Sequence, residues 1–214
     1  DNQDSDYGGN NRTLEFSRSN NEAGGEVADV VAAIGYRFWL SPDSWRSTLS
    51  LTPYLGYGLF RQNLTMTGGY QTIPATGAFP GLHSSYDTNW DSYMGALELT
   101  AGPRTRAWAL RFRYEGFFNA DYTAKANWNL KEDFAHPVSF SHSAEGRGYR
   151  ATLGVDYVVT KQLSVVAALQ SMRWSTGPGT DTTYFSGGTA QSTRLNDVQW
   201  DSRSVTLGFV WRGR

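Results

Sequence analysis

Alternation with a period of two runs through most of this chain. In residues 109–117, ALRFRYEGF, Leu110, Phe112 and Tyr114 fall on one face of a strand and Arg111, Arg113 and Glu115 on the other, because successive strand side chains point to opposite faces. The pattern recurs. Residues 28–40 align Val30, Ala32, Ile34, Tyr36, Phe38 and Leu40 on one face; residues 45–59 set Leu49, Leu51, Leu55, Tyr57 and Leu59 against Ser50, Thr52, Gly56 and Gly58. Residues 90–101, 106–118, 147–159, 162–174 and 203–212 repeat it, which predicts seven strands. Each reaches the ~9–11 residues that a tilted membrane strand needs. The turns at 41–44, 102–105 and 160–162 are short, whereas those at 61–89, 119–146 and 175–199 are long and polar. Short turns at one end and long loops at the other are the asymmetry of an outer-membrane barrel.

The predicted fold class is therefore all-β, an antiparallel transmembrane β-barrel with its long loops outside the cell and short turns in the periplasm. Arg37, Glu98, Arg111, Arg113, Glu115, Arg150 and Asp156 are expected to line a polar lumen, where opposite charges can pair. The aromatic face meets lipid, with Trp45, Trp108, Tyr157 and Trp211 as interface girdles. The WDS strings at 90–92 and 200–202 read as girdle chemistry too. The alternative is a soluble sandwich or lipocalin-like barrel with the apolar face turned inward. A small channel is disfavoured by the crowd of charges in the expected lumen.

Composition narrows the picture further. Charged residues are 18% of the 214, below the ~25% usual in soluble domains, and aromatics are 14%. A net charge of −1 gives no field that would attract nucleic acid. The chain has no cysteine, which excludes disulfides and Cys-based zinc sites. No apolar run of ~18 residues forms a membrane helix, although barrel strands escape that test. Residues 1–214 read as a single outer-membrane barrel domain that starts in an extracellular loop. Seven strands are odd for a bacterial barrel. Either residues 12–19, RTLEFSRS, add a strand, or strands precede residue 1; the second reading is the expectation.

The chemistry-bearing string is QDSDYGG at 3–9, with Asp4 and Asp6 two residues apart beside Tyr7. Paired carboxylates can share a proton or orient a water; a solvated turn is the plain alternative.

The ordered set DSDY, SRSNNEAGG, YLGYGLFRQNLTMTGGY, GAFPGLHSSYDTNWDSYMGAL, RYEGFF and YRATLGVDYVVTKQLSVVAALQSMRWSTGPGTDTTYF resembles the omptins, ten-stranded outer-membrane proteases of Gram-negative bacteria. The resemblance covers nearly the whole chain and implies that it begins in the second extracellular loop. It implies an Asp pair facing an Asp–His pair across the barrel mouth, with a water between them. Asp4 and Asp6 match the first pair. The family's D-x-H aligns with Asn127-Trp128-Asn129, whose amides accept no proton at neutral pH. Lys125 falls near a family acidic position, and Asn20 replaces a His. A loop insertion would let His136 serve as the general base, oriented by Asp133; His136 and His142 read otherwise as exposed loop histidines, and His83 sits in a different loop.

The resemblance thus implies an outer-membrane, cell-surface hydrolase, an endopeptidase if active, or else a non-catalytic barrel for binding, adhesion or scaffolding. It also implies lipopolysaccharide at Tyr57 and Arg61, since Arg suits phosphate; a rim aromatic and a snorkelling Arg are the plain alternative. No metal or cofactor is expected, apart from lipopolysaccharide as an activator. The expected partners are outer-membrane lipid, lipopolysaccharide, and an extracellular polypeptide substrate or partner protein, with no nucleic acid.

Overall fold

The computed structural model describes residues 1–211, and no helix occurs among them. The strands are β1 (Asn2–Gly9), β2 (Thr13–Gly35), β3 (Phe38–Trp39), β4 (Ser47–Ile73), β5 (Gly77–Ala78) and β6 (Ser84–Pro103). They continue with β7 (Trp108–Asn127), β8 (Phe140–Val158), β9 (Leu163–Thr176), β10 (Gly179–Tyr184), β11 (Ala190–Leu195) and β12 (Gln199–Trp211). All belong to one 12-stranded antiparallel sheet. Its long members run β1-β2-β4-β6-β7-β8-β9-β12, while the β10–β11 hairpin continues from the outer part of β8. Among the described residues, β12 pairs only with β9, and β2 below Asn21 pairs only with β4.

The sheet curls into barrel form. Phe60 on β4 and Trp174 on β9 meet edge to face with centroids 4.7 Å apart. Four strand steps in a flat sheet would separate them by about 19 Å. At the outer end the β1–β2 tip reaches the β11–β12 connection, where Arg12 pairs with Asp197 at 3.0 Å and Arg194 donates to Asn11.

The outward face carries the apolar alternation. Tyr57 meets Tyr93 at 5.3 Å and Tyr93 meets Phe118 at 6.3 Å, forming an upper aromatic belt. Trp108 pairs in register with Tyr157, and with exposed Trp45 and Trp211 it forms the lower one. From Tyr93 to Pro103 on β6 the backbone rises about 33 Å, or ~25 Å at a typical tilt, the height of a membrane barrel's apolar band.

The inward face departs from a simple wet lumen. Its lower half is charged, as the alternation predicts. Glu115, 2% exposed, accepts from Arg113 and Arg150 at 3.0 Å each. Glu98 flanks Arg113, Asp29 flanks Arg150, and Arg111 pairs with Asp156. Arg37 is a correction: it lies in the β2–β3 turn, stacked over Trp39 at 5.8 Å, because the strand ends at Gly35.

Above the charges sits an apolar plug of Phe60, Trp90, Met94, Phe117, Met172 and Trp174. The WDS tryptophans therefore belong inside: Trp90 is buried in the plug and Trp200 packs against it, since both share the inward parity of their strands. Gly148 makes room, because a Cβ there would meet the Trp174 ring at 2.6 Å. Trp174→Ala is expected to lower stability by about 3–5 kcal/mol and to raise ion leakage through the barrel. Denaturant unfolding and liposome conductance check the two effects.

The expected long loops are also corrected. β4 runs to Ile73, β6 starts at Ser84, β7 runs to Asn127 and β8 starts at Phe140. The outward residues turn polar where the strands leave lipid, but backbone pairing continues. Residues 12–19 lie within or just before β2 and pair with β1, so the segment read as an opening loop is a hairpin.

Candidate functional site

The strand extensions enclose a mouth above the plug. β1 contributes Asp4, half-buried and opposite Ser19, with the more exposed Asp6 opposite Ser17. The β2 partner positions are small serines, and the hairpin leans over the mouth with its tip held at Asp197. From the far wall come His142 on β8 and Asp181 on β10, strand neighbours in direct register. His142 Nε2 lies 3.5 Å from Asp181 Oδ1, and Nδ1 is 2.8 Å from the Tyr86 hydroxyl on β6. Tyr86 is in turn 2.5 Å from the Tyr122 hydroxyl on β7. Tyr122 rests on Trp90, so the plug forms the floor of the site.

Charge ties the two walls together. The Asp4 carboxyl is pushed up to about 6, first by burial and then by the like charge of Asp6; His142 opposes the rise and Asp181 adds to it. The Tyr86 hydroxyl is pushed up by burial, by Tyr122, and by the charges of Asp4 and Asp181. Burial also raises Tyr122. Two acids, a histidine and a hydroxyl pair thus converge from β1, β6, β7, β8 and β10. This set can bind a water, take its proton near neutral pH, and donate a hydroxyl hydrogen to a developing oxyanion.

The other candidate residues fall elsewhere. His136 lies in the β7–β8 connection, 2.6 Å from Asn127 Oδ1. The Asp133 carbonyl accepts from the Ser186 N–H. Among the described contacts, neither residue meets Asp4 or Asp6. Asn129 is a structural cap, accepting from the His83 N–H at 2.8 Å and from the Ser84 hydroxyl at 3.0 Å. Lys125 points outward and is exposed, because a bulge at Phe117–Ala120 with Asn119 at φ 50° reverses the parity of β7. Tyr57 and Arg61 sit on the outer rim, and Arg61 is paired with Asp91 at 2.5 Å. No group of acids, histidines or cysteines among the described residues has the geometry to hold a metal.

His142, Asp181, Tyr86 and Tyr122 were missed in the sequence. A signal existed for two of them. Counting back in twos from inward Arg150 reaches His142, and from inward Glu98 it reaches Tyr86.

A family model described as Protochlamydia outer membrane protein (Pom) matches residues 1–211. The crystal structure of the outer membrane protease OmpT from Escherichia coli superposes with a TM-score of 0.64 at 15% identity, covering 98% of this chain and 72% of that one. At that identity the likeness establishes the fold. No curated protein sequence matches the chain.

Proposed function

The chain belongs to the Protochlamydia outer membrane protein family, an outer-membrane barrel of omptin-like fold, and from that premise we propose that it is a cell-surface endopeptidase. One observation carries the reading: Asp4 and the His142–Asp181 pair act on one another by charge across the mouth, with Tyr86 bonded to His142. A water held by Asp4 and Asp6 attacks the scissile carbonyl carbon. Its proton passes to His142 Nδ1 as the Tyr86 hydroxyl hydrogen rotates away to the carbonyl oxygen, a cheap motion for a hydroxyl. Asp181 orients the imidazole and stabilises its charged form. The proton then moves to the leaving amine as the C–N bond breaks. No covalent intermediate is needed.

The test is peptide cleavage by the protein refolded with lipopolysaccharide, read by mass spectrometry against a mixed library. Cleavage is expected in the parent. Its rate should fall as pH drops through about 6, where Asp4 gains a proton. The same raised value means that Asp4 favours hairpin docking most below about 3.8 and loses that contribution as pH rises through about 6. Activity thus rises where docking weakens. A rate with no acid limb near 6 would remove Asp4 from the reaction.

Lipopolysaccharide contact at Tyr57 and Arg61 is part of the proposal. Phosphate there exchanges with Asp91 for the Arg61 guanidinium. The second reading, a non-catalytic binding or scaffolding barrel, draws on one feature: His142 Nδ1, the atom that would take the proton, is already hydrogen-bonded to the Tyr86 hydroxyl. A folded parent that cleaves nothing would select it.

A further inference from the structure

The wall beside Asp4 carries an open cleft of about 450 Å³ lined by Asn2, Gln3, Asn20, Asn21, Glu22 and Tyr70, among others. It forms at a bulge. Asn20 pairs with Tyr70 and Glu22 with Thr67, which leaves Asn21 with no residue opposite on β4. Gly68, facing that gap, takes a φ of 64°, open to glycine at little cost. Bulges of this kind re-aim a side chain next to a site. Asn21 is 6% exposed, and neither Nδ2 nor Oδ1 has a hydrogen-bond partner. A buried amide with both groups unmet is uncommon and costly in a native protein. The neighbouring Asn2 amide is committed to Met66 Sδ at 3.2 Å.

We propose that Asn21 is the specificity determinant of a subsite for a primary-amide side chain, Gln or Asn, in a polypeptide bound at Asp4 and His142. This deepens the endopeptidase reading and rests on it. An amide offers an acceptor for Nδ2 and donors for Oδ1 together. Lysine and arginine offer donors only and leave Nδ2 unmet; methionine and leucine satisfy neither atom. Asn2 lies opposite Asn21 on β1, and Asp4 is two residues further along, about 7 Å. That is the spacing between alternate side chains of an extended peptide, so the amide sits about two residues from the scissile bond.

Binding tests this independently of turnover. The His142→Gln protein in lipopolysaccharide-containing micelles is titrated into fluorescent peptides that differ only in Gln, Met or Lys at that position. The Gln peptide should bind about tenfold or more tighter than its Met isostere. Asn21→Leu should erase the difference, and Asn21→Asp should move the preference to Lys. Equal binding of Gln and Met peptides, no binding of either, or a preference that survives both substitutions overturns the subsite. Loss of cleavage in the parent, measured separately, is instead a failure of the endopeptidase reading.

Discussion

His142→Ala is expected to reduce peptide hydrolysis by about 10³-fold, with KM little changed. His136→Ala should stay within about threefold. His142 has the Tyr86 hydroxyl at 2.8 Å on one nitrogen and Asp181 3.5 Å from the other, and its charge acts on Asp4. His136 is tied to an amide in a loop. Asp4→Asn should match the His142 loss, since it removes the carboxylate that holds and polarises the water. The double variant should be little worse than either single one, because groups that act as a unit are not additive. Initial rates on one cleavable peptide decide it, with a heat-shifted gel band as the folding control. A His136→Ala loss as large as that of His142→Ala would return the base to the β7–β8 connection.

Glu115→Ala is expected to be the most destabilising single change in the lumen, by about 3–5 kcal/mol. Arg113 and Arg150 both converge on this carboxylate. Without it, two guanidinium groups share a narrow space, with only Glu98 at 3.8 Å and Asp29 at 3.6 Å in partial compensation. Arg111→Ala makes the contrast. Its pair with Asp156 is more exposed, and its loss should cost under about 1 kcal/mol. Urea unfolding of the two variants in micelles compares them directly, and equal costs would mean that water reaches Glu115 freely.

Parts of the site were legible and parts were not, for identifiable reasons. Asp4 and Asp6 stood out as two acids at strand spacing. Tyr86 and His142 follow from inward parity carried past the membrane band, which the polar outward residues disguised as loop. Tyr122 does not follow. Parity counted from Glu115 places Asp121 and Lys125 inside, and only the bulge at Asn119 turns Tyr122 inward instead. Asp181 lies on a hairpin whose threonines and glycines read equally well as a loop.

The dyad pattern by itself determined that the chain is a membrane barrel, which face meets lipid, and that Arg111, Arg113, Glu115, Arg150 and Asp156 line the lumen. A strand's alternation is a local property, so each segment carries it complete. Which groups confront one another across the mouth is not local. It depends on the curl of the sheet, on the bulges at Asn21 and Asn119, and on the lean of the β1–β2 hairpin toward Asp197. Only the tertiary structure therefore decided that the charge of His142, and not of His136, reaches Asp4, and that an aromatic plug fills the lumen beneath them.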